Sequence, residues 1–353
     1  MFELSLSSRQ LSSSLYLQNL ADNPQFDVFS FVGNNLLTPT QFNGADSALN
    51  NSRDFKSHSD DPTLVIFSEG LNLNKLFQVE QALIAELNIR FFKIVRMSGM
   101  TGYAIAARVN LRVNTDLRPK LETLATSHQI ELCLFDKIPS LTEPGLLLMD
   151  MDSTVIAVEC IDELAKLAGV GEQVSEVTEL AMQGKLDFAE SLRSRVGCLS
   201  GADVVILHTV LSALPLMPGL SNLVKILKKY NWKLAIASGG FTFFADYLLQ
   251  RLELDAAVAN KLEIIDGKLS GKVSGDIIDA KVKASTLDEL AARWKIPHSQ
   301  TIAMGDGAND LLMMNAASLG VAFHAKPLVR AQADISIRSG GLDCLLWILA
   351  AVK

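Results

Sequence analysis

Gly145-Leu146-Leu147-Leu148-Met149 is an apolar run without alternation, and Asp150-Met151-Asp152 follows it with no spacer. A strand that is apolar at every position has both faces covered, which is the habit of parallel strands lying between two layers of helix. Similar short runs recur after helical stretches at residues 234–237, 301–304 and 320–322. Strands alternating with helices predict a doubly wound α/β domain with a parallel, Rossmann-like sheet, here over residues 145–353. Residues 161–214 hold only helical periodicity. An insertion placed just after the first strand is expected to cap the carboxyl edge of the sheet, where ligands of such folds bind.

Upstream, the apolar pattern reads as strand 64–67, helix 76–87, strands 91–95 and 103–109, helix 117–126 and strand 130–134. The order β-α-β-β-α-β predicts a ferredoxin-like α+β domain over residues 63–138. In pattern it is similar to the amino-acid-binding ACT domains; a scaffold or dimerisation domain without a ligand stays open beside that reading. Residues 33–62, rich in Asn, Ser, Asp and Thr, read as a loop or connection. Residues 1–62 as a whole are taken as an N-terminal segment and polar linker of no assigned fold.

The formal net charge is -7 and no dense Lys/Arg block occurs, which argues against nucleic acid as a main partner. The four cysteines lie far apart without metal-ligand spacing, as expected of reduced thiols in the cytoplasm. No basic segment precedes an apolar stretch at the N-terminus, and no apolar run approaches the ~20 residues of a spanning helix. The C-terminal run 344–352 is expected to be a packed helix end.

Three turns and one lysine carry the chemistry. Asp150 and Asp152 leave the end of a buried strand two residues apart, so both turn toward one crevice. An aspartate can attack a phosphoryl group and form an acyl phosphate. A second carboxyl can protonate the leaving oxygen and then deprotonate water. A hard cation with oxygen ligands would offset the repulsion between carboxylates and phosphate. Ser238-Gly239-Gly240 follows a second strand and is expected to open a helix from Phe241, offering a hydroxyl and backbone N–H groups to an anion. Gly305-Asp306-Gly307-Ala308-Asn309-Asp310 follows a third strand. There Asp306 is placed to bind the cation, Asp310 to ligate or orient, and Asn309 to hydrogen-bond phosphate or a catalytic group. Lys283, inside a predicted helix over 279–294, could neutralise a phosphorylated aspartate, with Lys281 the competing candidate.

Asp-x-Asp-x-Thr, Ser-Gly-Gly, a lysine and Gly-Asp-Gly-x-Asn-Asp, in this order, resemble the haloacid dehalogenase-like superfamily. Within it, Glu159-Cys160-Ile161-Asp162-Glu163, Gly184-Lys185-Leu186-Asp187-Phe188 and Ser191-Leu192-Arg193-Ser194-Arg195-Val196 are similar to the phosphoserine phosphatase family. The resemblance implies Asp150 as nucleophile and Asp152 as general acid and base. It implies Mg2+ held by Asp150, Asp306 and the main-chain carbonyl of Asp152, with Asp310 in support. Ser238, Gly239, Lys283 and Asn309 would bind phosphate. Glu159 would meet the substrate ammonium and Arg195 its carboxylate, with Met182 and Phe188 shielding the pocket and Arg193 the rival for the carboxylate.

The reaction so implied is hydrolysis of phosphoserine to serine and phosphate. A phosphatase or phosphotransferase for another small phosphomonoester, and a serine-binding regulatory protein with vestigial catalysis, are the alternatives. A homodimer through the N-terminal domain is left open.

Overall fold

The computed structural model describes residues 4–5, 14–22, 28–32, 35–37, 61–182 and 185–351. They divide into two compact units, Met1–Ser140 together with Ile335–Lys353, and Leu141–Asp334.

The first unit opens with β1 (Leu4–Ser5), α1 (Ser14–Asp22), β2 (Val28–Val32) and β3 (Asn35–Leu37). It continues with β4 (Thr63–Phe67), α2 (Leu73–Leu83), β5 (Leu87–Val95), β6 (Ala104–Leu111), α3 (Arg118–His128) and β7 (Glu131–Phe135). The strands form an antiparallel sheet in the order β1-β3-β2-β5-β6-β4-β7. The subset β5-β6-β4-β7 has the split βαβ arrangement expected from the sequence. Leu64 and Ile66 of β4 pack with Leu73, Leu76 and Leu83 of α2 and with Phe92 of β5 in one core.

Two features depart from expectation. Residues 35–37, inside the stretch read as a loop, pair with β2 and β1, so the sheet is wider than four strands; the rest of 38–60 lies outside the described residues. Helix α2 occupies 73–83 rather than 76–87, because the side chain of Asn72 accepts from the Lys75 N–H at 2.9 Å and caps it early. Leu87, which continues the helical spacing, instead begins β5 opposite Leu111.

The second unit holds β8 (Leu146–Met149), then α4 (Cys160–Ala168), α5 (Gly171–Met182), α6 (Phe188–Cys198), α7 (Val205–Ser212) and α8 (Leu220–Lys229). After these come β9 (Lys233–Phe241), α9 (Thr242–Arg251), β10 (Ala256–Ile265), β11 (Lys268–Ser274) and α10 (Ala280–Trp294). The unit ends with β12 (Thr301–Gly305), α11 (Leu311–Ala316), β13 (Leu319–Phe323) and α12 (Pro327–Arg330). Its strands run β11-β10-β9-β8-β12-β13, parallel from β10 to β13, with β11 antiparallel at the edge. Every residue of β8, β12 and β13 is buried, and each large side chain so removed from water contributes about 1.5–3 kcal/mol. From β8 the chain first builds outward through β9 and β10, then returns to the other side of β8 with β12. The switch point of the sheet is therefore at the carboxyl end of β8.

The last segment, β14 (Ile335–Ile337) and α13 (Cys344–Ala350), groups with the first unit. Leu345, Leu346, Trp347, Ile348 and Leu349 of α13 are all buried. Among the described residues, no helix is long and apolar enough to cross a membrane.

Candidate active site

Strand register brings the three turns together. Met149 pairs with Met304 on one side of β8 and with Ile236 on the other. Asp150 is one residue past Met149, while Asp306 and Ser238 are each two residues past their partners, so all three leave adjacent strand ends. The ladder extends one step further, with the Asp150 N–H donating to the Met304 carbonyl at 2.9 Å.

Lys283 stands at the centre. Asp279 caps α10 by accepting from the N–H groups of Lys281 and Val282, and Lys283 lies one turn in. Its ammonium donates to Asp150 Oδ1 and to Asp310 Oδ1, each at 2.7 Å, and only 1% of its side chain is exposed. Burial alone would discharge such a lysine, but the two carboxylates prevail and its pKa is raised. Lys281 is exposed. Asp310 Oδ2 accepts from the Gly307 N–H at 3.0 Å. Both oxygens of Asp310 are thus engaged, which suits an orienting acid.

Carboxylate oxygens of Asp150, Asp306 and Asp310 lie within 4.8 Å of one another. Three acids face one lysine, and Asp306 shows the imbalance. Lost hydration first, then Asp150 and Asp310, push its carboxyl up to about 8, against the opposing pull of Lys283. An all-oxygen donor set short of positive charge fits a hard divalent cation.

Asp152 lies on the cap side of Asp150. Ser153, at φ 57°, turns the chain immediately after it. Asp152 Oδ1 accepts from the Cys160 N–H at 2.9 Å, which ties it to the first turn of α4. Lost hydration, followed by the charges of Glu159 and Asp150, still pushes the Asp152 carboxyl up to about 7.

On the β9 side, Ser238 is buried and its Oγ accepts from the Gly240 N–H at 2.9 Å. That bond occupies a lone pair and leaves the hydroxyl proton free to be donated. A Cβ at Gly240 would lie 2.4 Å from Asp152 Oδ2, so no larger residue fits without displacing that acid. A Cβ at Gly239 would lie 2.6 Å from the Phe188 ring. Phe188 is the first residue of α6, whose start is fixed by a capping box between Asp187 and Glu190. A cap aromatic therefore covers the glycine turn. The helix expected from Phe241 begins one residue later, as α9 at Thr242, because β9 continues through the turn to Phe241, which pairs with Asn260.

At the rim, Glu159 Oε1 accepts from Ser153 Oγ at 2.8 Å. Glu159 is exposed by area, yet it is crowded enough that lost hydration, with the charges of Asp150 and Asp162, raises its pKa. Arg195 is half-buried on α6, and its Nε is enclosed without a hydrogen-bond partner among the described residues. Loss of hydration lowers its pKa while Asp162 and Glu159 oppose the shift. Arg193 is exposed. Asn309 lies over Gly307, where a Cβ would meet its Oδ1 at 2.1 Å. The side chain of Met182 lies outside the described residues, as does Gly184.

The profile of the haloacid dehalogenase-like hydrolases matches residues 145–318. A phosphoserine phosphatase of Haemophilus influenzae is 56% identical over 223 residues, covering 63% of this chain and 71% of its own. The chain belongs to the phosphoserine phosphatase family. Among solved structures, a probable phosphoserine phosphatase from Vibrio cholerae in unliganded form is similar with a TM-score of 0.71 and 44% identity, over 83% of this chain and 88% of the other. A phospho-aspartyl intermediate analogue of a phosphoserine phosphatase matches with a TM-score of 0.55 and 38% identity, over 58% of this chain and 98% of the other.

Sequence reasoning passed over Asp162, whose charge acts on Arg195 and Glu159, and Asn260, buried beside the glycine turn. An asparagine directly after the apolar run Ala256-Ala257-Val258-Ala259 was the available signal for the second.

Proposed function

We propose that this chain hydrolyses O-phospho-L-serine to L-serine and phosphate through a phosphorylated Asp150. The observation that carries the reading is the crevice at the end of β8. There Lys283 is bonded to Asp150 and Asp310, and a half-buried Asp152 stands beside the nucleophile.

Asp150 attacks phosphorus, and the bond from phosphorus to the serine oxygen breaks. Asp152, whose raised pKa lets it carry a proton near neutrality, gives that proton to the departing oxygen. Asp152 then takes a proton from water as the water attacks the acyl phosphate, which releases phosphate and restores Asp150. Ser238, Gly239, Lys283 and Asn309 are the donors for the phosphoryl oxygens. Mg2+, held by Asp150, Asp306 and the Asp152 main-chain carbonyl with Asp310 in support, would supply positive charge against the crowded carboxylates.

Glu159 and Arg195 complement the ammonium and carboxylate of the substrate. The unpartnered Arg195 Nε supports this role, since a buried donor without an acceptor is costly and a substrate carboxylate would satisfy it. Phe188, with Met182, would exclude water. Residues 63–138 are read in the same proposal as an ACT-like regulatory domain able to pair two chains, and the enzyme as cytoplasmic.

The test is phosphate release from L-phosphoserine, beside a panel of other phosphomonoesters, with magnesium, with EDTA and with Asp150→Asn. Selective, magnesium-dependent release that Asp150→Asn abolishes is expected. Equal rates across the panel would remove Glu159 and Arg195 from substrate selection, and normal turnover by Asp150→Asn would remove the nucleophile.

A further inference from the structure

We infer that Asn260 is a positioning residue that fixes the phosphate-binding turn of β9 and ties it to the start of the Lys283 helix. The inference rests on the reading of Ser238, Gly239 and Lys283 as phosphate donors.

Along the parallel pair β9 and β10, Val258 lies opposite Ala237, but Asn260 lies opposite Phe241. One residue of β10 therefore spans three of β9, and those three are Ser238, Gly239 and Gly240. The glycine turn is a bulge in a strand, and a bulge withdraws its own peptides from the ladder. A buried carbonyl withdrawn in this way needs another donor. Asn260 Nδ2 donates to the Gly239 carbonyl at 2.8 Å. The same peptide unit carries the Gly240 N–H, which donates to Ser238 Oγ at 2.9 Å. Both ends of the Gly239–Gly240 peptide are thereby held, and the Ser238 hydroxyl proton and the Gly239 N–H are left for an anion.

The other end of the Asn260 amide reaches the second element. Its Oδ1 accepts from the Ile278 N–H at 2.9 Å. Ile278 directly precedes Asp279, the cap that starts α10 and places Lys283. One amide, 1% exposed, thus spans the turn and the helix that supply separate donors to one phosphate. Only Asn offers a donor and an acceptor at this length. Asp would set a carboxylate oxygen against the Gly239 carbonyl, and Leu would leave both backbone groups unpaired.

Three full-length variants test this: Asn260→Asp, Asn260→Leu and the smaller Asn260→Ser, each checked by thermal unfolding. Binding of inorganic phosphate in the presence of magnesium is measured by calorimetry, and binding of L-serine is measured in the same way. Asn260→Asp is expected to weaken phosphate about tenfold or more, the effect of one lost charge-assisted contact, and Asn260→Leu to weaken it further. Binding of L-serine, the product that the proposed function assigns to Glu159 and Arg195, should stay within about twofold. Should Asn260→Asp or Asn260→Leu fail to fold, Asn260→Ser, which reaches neither partner, carries the same expectation. Unchanged phosphate affinity in a folded variant overturns the inference. So does equal weakening of phosphate and L-serine, because that is the mark of a merely structural residue. Phosphate binding is read without turnover. A wild-type enzyme inactive on phosphoserine would therefore overturn the functional reading alone, and calorimetry would still decide the role of Asn260.

Discussion

Among the described residues two cations, half-buried Arg338 and buried Lys283, are each held between two carboxylates, and their surroundings differ in one respect. In the first unit, Arg338 contacts Glu122 and Glu131. Glu131 also accepts from the N–H groups of Arg338 and Ser339 and from the Ser339 hydroxyl. Both carboxylate oxygens of Glu131 thus face donors within the protein. In the second unit, Lys283 serves Asp150 and Asp310, but Asp306 stands beside them with no second cation among the described residues to meet it. The Arg338 cluster is closed and holds the C-terminal segment onto its unit. The Lys283 cluster is short of positive charge. An ion pair alone says little about function; the unsatisfied remainder around it says more.

The contrast is broken most directly by removing each cation. Lys283→Met should lower turnover of phosphoserine by at least about 10^2 to 10^3, the cost of one preorganised charge on the reacting group. Arg338→Met should leave kcat and KM within about twofold. It should instead destabilise the first unit by roughly 3 kcal/mol, as expected when a buried pair loses one partner, with urea unfolding as the measurement. A loss of turnover in Arg338→Met, at concentrations where the protein is folded, would erase the distinction between a structural and a catalytic cluster.

The shortage of positive charge makes a pH prediction. The Asp306 carboxyl titrates at about 8 in the folded protein against 3.8 ordinarily. A raised pKa favours the protonated acid, so its contribution to stability is full below about pH 4 and is lost as the pH rises through about 8. In EDTA, the melting temperature should therefore fall from pH 5 to pH 9. Magnesium should restore most at the alkaline end, and Asp306→Asn should flatten the fall. An equally steep profile in Asp306→Asn would assign the repulsion to its neighbours.

The closed cluster could not have been read from sequence, because Glu131 and Arg338 are 207 residues apart and neither sits in a local motif. The open cluster was more legible. Its acids follow apolar runs too short and too continuous to be anything but buried parallel strands, and glycines mark the turns. Even there the local signal gave out at Ser238-Gly239-Gly240, which looked like the end of a strand. Glycine weakens a strand's own pattern, and the continuation to Phe241 depends on Asn260, a residue of the next strand. The parallel sheet and the cap helices were visible as periodicity. The seven-stranded width of the first sheet was not, since β3 lies within the polar stretch and pairs with β2, which in turn pairs with β5.

A third acid marks the lower limit of the comparison. Glu80 is half-buried on α2, and lost hydration alone pushes its carboxyl up to about 7. Its shift has no cation behind it and no ligand to anticipate. For a fully enclosed group, a shift of this size would correspond to about 3 kcal/mol; partial exposure to solvent reduces it to about 1 kcal/mol. The sign follows from the raised pKa: the protonated acid is favoured in the fold, and stability drains away as the pH rises from about 4.5 through about 7. Glu80→Gln should therefore match the wild type in urea at pH 4.5 and exceed it by about 1 kcal/mol at pH 8, with turnover unchanged. An effect as large as that of Arg338→Met would mean that Glu80 carries a partner-dependent charge. No difference at pH 8 would mean that water reaches the carboxylate, so that burial without a partner perturbs this protein far less than an uncompensated cluster does.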